Sequence, residues 1–373
     1  MNKDLALIAL ALMTWGVGEG MFQVFQPLYL QQLGANPVAI GTILGFYGAA
    51  MAIAHIPAGY ISDRIGRRPL LWVSWVVGTC ATIIMALAPS LPWFIGGMFL
   101  YGITSFVMSP LASYVTVARG KLSVSRALTL IMAFYNGGAI IGPLFGGVVG
   151  DRLGLHQIYA ISATIFAIST LIIFFISPQP VEPAPAYGPE KKSSLNIKFL
   201  SFMIIVFLAM FAMTLPQPLS SNFLQNERGL NLSQIGLLGM ISSIGVVILN
   251  VFLGQMDVRL SYVLCQVSVM IYSLTLWLSH NMIWYLLGFF LSGGNRVARA
   301  LAPAQTRRLV QQANMGFAYG ITETIGTSVM LPAAWLAGNL YRVYPSLMYV
   351  VSCALLVLSI AASVLFLPKE KRA

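Results

Sequence analysis

Two acidic residues interrupt long apolar runs of this sequence. Glu19 and Glu323 lie inside such runs, whereas the other eight aspartates and glutamates fall in polar segments or at the ends of runs. An ionisable side chain within a membrane-length apolar run indicates a functional site by default. A carboxyl group in apolar surroundings can bind and release a proton, so the chemistry that these two acids suggest is proton exchange.

Glu19 starts a polar series in the first apolar run. Gln23 follows four residues later and Gln26 seven residues later, so a continuous helix would place all three on one face. We predict that this face binds a substrate or a proton. The alternative is that Glu19 is a hydrogen-bonded residue between packed helices.

A second candidate group lies in the last third of the chain. Arg296 and Arg299 are one helical turn apart, and at about 1.5 Å of rise per residue Arg296 and Glu323 lie at similar depth in successive runs. One hypothesis is a structural ion pair, which would offset part of the cost of burying each charge. The other is that Arg296 attracts an anionic substrate group while Glu323 modulates it by protonation.

The apolar runs that hold these residues predict an all-α integral membrane protein. Hydrophobic residues make up 58% of the 373 residues and charged residues only 8%, against roughly 25% charged in soluble domains. Since a crossing takes about 20 apolar residues, we predict twelve spans, of which the seventh is interrupted by Pro216 and Pro218. Their approximate bounds are 5–33, 38–59, 70–89, 93–118, 126–150, 157–177, 197–224, 233–255, 260–279, 282–305, 314–338 and 345–367.

Basic residues set the predicted orientation of these spans. With the N-terminus in the cytoplasm, sixteen lysines and arginines fall in inner segments and three in outer ones, in agreement with the positive-inside rule. This predicts a plasma-membrane protein with both termini in the cytoplasm. The net charge of +11 does not indicate nucleic-acid binding, because the basic residues lie in short gaps between apolar runs.

A proline-rich polar segment divides the chain into two predicted domains. Residues 178–196 are too polar to span a membrane, so we predict a cytoplasmic linker between one six-helix bundle at 1–177 and another at 197–373. Five identities at an offset of 195 residues support a repeat. They pair Gly34, Asn36, Ile40, Gly41 and Gly59 with Gly229, Asn231, Ile235, Gly236 and Gly254.

A charged segment follows the second predicted span and is expected to form a turn at the inner membrane surface. Its residues are Gly59, Asp63, Arg64, Gly66, Arg67 and Arg68. Asp257 and Arg259 belong to a degenerate second copy. Because the second copy is incomplete, we expect the role of this segment to depend more on Asp63 than on Asp257.

A glycine-rich segment lies in the fifth predicted span. Its small residues let helix backbones touch, and its proline removes a backbone hydrogen bond and can bend the helix. Its residues are Gly138, Gly142, Pro143, Gly146 and Gly147.

Together these two segments resemble signatures of the major facilitator superfamily. The charged segment is similar to the family's signature loop, and the glycine-rich segment is similar to its antiporter motif. The resemblance implies two pseudo-symmetric six-helix bundles, a midplane cavity lined by the first, fourth, seventh and tenth spans, and a charged latch. One position departs from the family, because Met98 stands four residues before Gly102 where the family often has an arginine. No proton role is carried over to that position.

The function that the resemblance implies is secondary active transport, with a small-molecule substrate, protons and the lipid bilayer as partners and no cofactor. We expect a monomeric, proton-coupled exporter of small amphipathic or anionic compounds. The alternative within the class is a proton-coupled importer of sugars or organic anions. A non-transporting receptor or membrane enzyme is the alternative from another class, but the sequence offers it no nucleophile or metal-ligand spacing.

Overall fold

The computed structural model describes residues 2–179, 197–309, 322 and 324–366. All regular structure within those ranges is helical, which confirms the predicted all-α class. A 3-10 turn, Thr104–Val107, joins α5 to α6, and residues 324–328 are also helical. The α-helices are α1 (Lys3–Gln23), α2 (Gln26–Gln32), α3 (Pro37–Ile65), α4 (Arg67–Ala86), α5 (Leu91–Ile103), α6 (Met108–Ala118), α7 (Val124–Leu153), α8 (Leu155–Phe174), α9 (Ile197–Thr214), α10 (Ser220–Asn226), α11 (Leu232–Leu253), α12 (Val258–Leu278), α13 (Met282–Ser292), α14 (Gly294–Leu309), α15 (Met330–Val343) and α16 (Leu347–Phe366).

Nine helical stretches in the described part of the chain are long and apolar enough to cross a membrane. A further stretch, Phe202–Thr214, is apolar but shorter. The predicted span at 282–305 falls on α13 and α14, and the one at 314–338 lies partly outside the described residues. The helices are therefore consistent with twelve spans.

Five of the predicted spans are interrupted in the described part of the chain, and in the eleventh only Val329 separates the helical residues 324–328 from α15. The first divides into α1 and α2, the fourth into α5 and α6, the seventh into α9 and α10, and the tenth into α13 and α14. Pro27 stands in the first turn of α2, and Pro216 and Pro218 fall in the gap before α10. Because proline has no N–H to donate, it removes a hydrogen bond to the preceding turn and can kink or end a helix. The predicted interruption at Pro216 is confirmed, whereas the breaks within the spans at 5–33, 93–118 and 282–305 were not predicted.

The charged segment is helical over most of its length, contrary to the predicted turn. α3 continues through Ile65 and α4 begins at Arg67, so only Gly66 stands between them. Gly66 has a φ of 87°, which residues with a side chain rarely adopt. The predicted turn was too long because no proline lies between Gly59 and Ile65, and a helix gains one hydrogen bond with each residue added.

Contacts group the described residues into two compact units. The first comprises the described residues of Met1–Ala35, Tyr47–Gly188 and Leu230–Met240. The second comprises those of Asn36–Phe46, Pro189–Gly229 and Ile241–Ala373. The start of α11 thus belongs to the first unit and the start of α3 to the second.

In the first unit, α1 packs against α7 and α8, and α4 packs against α8. A buried polar link ties three of these helices together. Trp75 Nε1 donates to Ser169 Oγ at 2.9 Å, and Ser169 Oγ donates to the Ala11 carbonyl at 2.6 Å. A buried polar group without a partner costs about 1–3 kcal/mol, so this link fixes the register of α1, α4 and α8 within an apolar core.

In the second unit, α12 packs against α13, α14 and α16. Buried polar side chains again join the helices. Gln266 Nε2 on α12 donates to Ser363 Oγ on α16 at 2.9 Å, and Ser352 Oγ donates to the Ala212 carbonyl on α9 at 2.8 Å.

Candidate functional site

Glu19 on α1 is half-buried and is held by a tyrosine of α7. The Tyr135 hydroxyl donates to Glu19 Oε2 at 2.8 Å, and both residues lie in the first unit. A hydrogen bond to an ionised carboxylate is about twice as strong as one between neutral groups. The geometry therefore fits a carboxylate whose negative charge is stabilised by a tyrosine hydroxyl.

The glycine-rich segment of α7 brings Tyr135 to Glu19. A Cβ atom on Gly138 would meet the Met13 carbonyl, one on Gly142 would lie 2.5 Å from the Val17 carbonyl, and one on Gly146 would meet the Met21 carbonyl. These three glycines are spaced by four residues and so share one helix face. The backbones of α1 and α7 touch along this face, which we call the glycine ladder.

Pro143 lies within the same crossing but does not end α7, which is continuous from Val124 to Leu153. Its Cδ lies 3.0 Å from the position of a Cβ on Gly20 of α1. Gly147 faces elsewhere, with the Leu232 carbonyl of α11 2.5 Å from the position of its Cβ. The glycine-rich segment therefore serves two helix contacts within the first unit.

Aromatic side chains surround the carboxylate. Trp15, one turn before Glu19, donates from Nε1 to the Tyr101 hydroxyl at 3.2 Å and stacks on Phe166 with ring centroids 4.0 Å apart. Tyr101 and Tyr47 both lie within electrostatic range of the Glu19 carboxylate. The acid is thus placed in an aromatic setting that contains several hydroxyl groups.

The polar face predicted from Glu19 through Gln26 is interrupted. α1 ends at Gln23, which is exposed, and α2 begins at Gln26, which is 4% exposed. Val24 and Phe25, which separate the two helices, keep right-handed helical backbone angles, and the common face of the three residues stays a prediction. Within the described part of the chain, the Gln26 Nε2 atom is buried without a hydrogen-bond acceptor.

Arg296 and Arg299 both lie on α14 and are exposed. Arg299 donates from Nη2 to Thr327 Oγ1 at 2.7 Å. Glu323 lies outside the described residues, and so does the predicted pair that it would form with Arg296.

A cluster of hydroxyl groups in the second unit was not predicted. It lies where α10 begins after the break in the seventh span. Ser220 Oγ and the Tyr272 hydroxyl are 2.6 Å apart, and the Tyr349 hydroxyl lies 3.4 Å from Ser220 Oγ. The sequence signal for this cluster was the pair of prolines after α9. An interrupted helix leaves backbone groups without helical partners, and side chains can then bind them.

In the charged segment, side-chain contacts are described only from Gly66 onward. The side chains of Asp63 and Arg64 and the surroundings of Gly59 lie outside the described part of the structure. The Arg68 guanidinium lies over the Trp72 ring at 4.1 Å from the ring centroid. Arg67 is half-buried and, like Arg68, belongs to the first turn of α4.

In the degenerate copy, Asp257 is the N-cap of α12. Its Oδ1 accepts from the Leu260 N–H at 3.0 Å, and Arg259 donates to the Val364 carbonyl of α16. These contacts join elements of the second unit only. They fit a local capping role for Asp257, which is worth about 1 kcal/mol in typical helices.

Metal binding finds no support in the residues that the structure describes, where no three histidine, cysteine or acidic side chains lie together. The candidate residues offer one carboxylate and several phenol hydroxyls in the first unit, and exposed guanidinium groups in the second.

Comparisons with known proteins place these features in a family. A family model described as Major Facilitator Superfamily matches residues 8–201 and 202–373. Inner membrane transport protein YajR of Escherichia coli (strain K12) is 28% identical over 175 residues, which cover 44% of this chain and 38% of YajR. The class D tetracycline resistance protein of Salmonella ordonez is 28% identical over 215 residues, 57% of this chain and 54% of that protein.

A longer match is to multidrug resistance protein MdtL of Klebsiella pneumoniae subsp. pneumoniae, which is 26% identical over 340 residues, 86% of this chain and 84% of MdtL. For YajR and the tetracycline resistance protein, the matched part of the chain spans about half of the relative's length or less.

Solved structures support the same fold. The crystal structure of the nucleoside transporter NupG superposes with a TM-score of 0.82 over 99% of this chain and all of NupG, at 13% identity. The peptide transporter POT in complex with sulfate gives a TM-score of 0.77 over 98% of this chain and 94% of POT, at 14% identity. The family match covers nearly the whole chain, and the apolar helices are those of a membrane protein. The chain therefore belongs to the Major Facilitator Superfamily.

Proposed function

We propose that this protein exports small molecules across the plasma membrane in exchange for protons, by alternating access, with Glu19 as the group that binds the proton. The observation that carries the proposal is the 2.8 Å hydrogen bond from the Tyr135 hydroxyl to the Glu19 carboxylate. Export is supported by relatives whose names describe multidrug or tetracycline resistance.

The hydrogen bond offers a way to link proton binding to helix movement. A proton that binds Glu19 from the outer side removes the negative charge, and the bond from Tyr135 weakens because its acceptor is no longer ionised. Release of that proton to the cytoplasm restores the bond. The glycine ladder keeps the α1 and α7 backbones in contact throughout, so the change acts on the side chains between them.

The interrupted spans support alternating access. In secondary transporters, discontinuous helices contribute their broken ends to the substrate site. The first, fourth, seventh and tenth spans, which line the cavity in the family, are among the broken spans here. We propose that the substrate-contacting residues lie on them, with Gln23, Gln26, Arg296 and Arg299 as candidates.

The remaining assignments are proposals of the same kind. Both termini and the linker at 178–196 face the cytoplasm, the halves at 1–177 and 197–373 move as bundles, and the transporter acts as a monomer. Asp63 serves as an inner latch, and Glu323 modulates Arg296 by protonation or pairs with it structurally.

The test is substrate-dependent proton flux in liposomes that contain only this protein and an internal pH-sensitive dye. Tetracycline and amphipathic cations and anions form the panel, added outside vesicles whose interior is acidic. Exchange predicts that the interior becomes less acidic as substrate enters, and Glu19→Gln abolishes this signal. Asp257→Asn is the matched control, because this acid caps its own helix, and it keeps the signal.

Two outcomes would overturn the proposal. Proton movement in the same direction as the substrate would identify an importer that carries both together. Absence of proton flux with every compound, from protein that binds at least one of them, would rule out proton coupling.

A further inference from the structure

An aspartate on α7 caps the start of α11. The two oxygens of Asp151 accept from the backbone N–H groups of Leu232 and Ser233 at 2.9 and 2.8 Å. These are among the first N–H groups of α11, which have no partner within their own helix. A carboxylate at this end of a helix is also favoured by the helix dipole. The contact lies within the first unit, yet α7 comes from the first sequence half and α11 from the second.

Glycines hold the two helices close enough for this contact. The position of a Cβ on Gly147 lies 2.5 Å from the Leu232 carbonyl, and a Cβ on Gly236 would meet the Pro143 carbonyl. With no side chain between the backbones, the Asp151 carboxylate reaches the end of α11 directly.

The sequence around Asp151 repeats the charged segment. The pattern of glycine, three residues, aspartate, arginine, one residue and glycine occurs at 59–66 and again at 147–154. Gly66 and Gly154 close the two copies with nearly the same backbone angles, φ 87° and ψ 163° against φ 89° and ψ 160°. Each is followed directly by the next helix. The copy at 147–154 thus matches the charged segment in sequence and in the backbone angles of its last glycine. It lies on the predicted outer side of the membrane.

The second unit has a matching crossing with the opposite charge. A Cβ on Gly41 of α3 would meet the Ala334 carbonyl of α15, and one on Gly338 would meet the Pro37 carbonyl. Gly41 thus occupies the place that Gly236 has in the crossing of α11 with α7, and Gly338 occupies the place of Gly147. Four residues after Gly338 stands Arg342, where the other crossing has Asp151. A cation near a helix N-terminus is not stabilising, so only one of the two described crossings carries an acid cap.

We propose that Asp151 is an outer latch, which holds α7 to α11 while the outer side is closed and is released each time that side opens. It would alternate with the segment at 59–66 on the inner side. The inference rests on alternating access, which is part of the proposed function, but not on protons or on the direction of transport.

The test is a distance measurement between spin labels on α7 and α11. Labels are attached to Leu153→Cys and Gln234→Cys, both exposed positions, in a chain whose Cys80, Cys265 and Cys353 are replaced by alanine. The protein with Asp151 shows mainly the short distance. Asp151→Asn and Asp151→Ala raise the ratio of long to short distances about threefold to tenfold, the range expected for loss of a charged cap, and Asp151→Glu stays near the starting ratio.

Asp257→Ala is the matched control, because it also removes an aspartate cap but from within the second half. It leaves the ratio unchanged. Salt provides a second readout, since it screens exposed charges: it raises the ratio in the protein with Asp151 and has little effect in Asp151→Asn.

The inference is overturned if Asp151→Asn, which is nearly the same size as the original residue, leaves both the ratio and its salt dependence unchanged. It is also overturned if Asp257→Ala shifts the ratio as much as Asp151→Ala. Neither readout involves proton flux, so failure of the latch and failure of proton coupling are told apart.

Discussion

Adding one methyl group to the glycine ladder tests whether helix contact positions the Glu19 carboxylate. In Gly138→Ala the new Cβ would lie 2.7 Å from the Val17 nitrogen, where ordinary contacts begin at 3.4 Å. The difference means that α7 must withdraw from α1 by about 0.7 Å or more. The same shift would stretch the Tyr135 to Glu19 hydrogen bond from 2.8 Å to about 3.5 Å, the outer limit for such a bond.

The neighbouring glycine supplies the control. Gly137 has no heavy atom within 4 Å of its Cβ position, so Gly137→Ala adds a methyl group to the same helix without a clash. We expect Gly138→Ala to lose about 1–3 kcal/mol of stability, the usual cost of overpacking, and most of its transport. Gly137→Ala should be neutral or slightly more stable, because alanine favours helix by about 0.5–1 kcal/mol over glycine.

The assay is thermal unfolding in detergent together with transport in liposomes. Equal melting temperatures and equal transport rates for the two variants would refute the role of the ladder.

Three further predictions concern single side chains. Tyr135→Phe keeps the fold but lowers proton-driven transport, since the carboxylate loses its hydroxyl donor, and unchanged transport in liposomes would count against that role. Asp63→Asn slows transport more than Asp257→Asn does, and equal rates for the two would contradict the asymmetry between the two charged segments. Ser169→Ala removes the hydroxyl that links the α4 indole to an α1 carbonyl and should cost about 1–3 kcal/mol, which a melting temperature equal to that of the unchanged protein would disprove.

The sequence predicted the acid of the candidate site but not its partner. Glu19 could be found because a charge within an apolar run is rare and therefore informative. Tyr135 could not be found in that way, because the residue that faces Glu19 depends on how α1 and α7 cross. Its position three residues before Gly138 was a signal, since it shares the face of the glycine ladder.

Local chemistry also explains where the predicted elements differ from the structure. Pro216 and Pro218 correctly predicted a break, whereas Pro27 was not used in the same way and the break before α2 was missed. The turn predicted at the charged segment was too long. Gly59 is accommodated within α3, and only Gly66 has a non-helical backbone conformation. The copy at 147–154 was readable from the sequence alone, but its contact with α11 depends on tertiary structure.

Coupling of proton movement to substrate movement by Glu19 is tested most directly by one measurement. Liposomes that contain wild type or Glu19→Gln are assayed with the same substrate in two ways, for uphill transport driven by a pH gradient and for exchange of labelled against unlabelled substrate without a gradient. We predict that Glu19→Gln keeps exchange, because its fold and substrate site remain, and loses uphill transport. Uphill transport at the wild-type rate in Glu19→Gln would contradict the account.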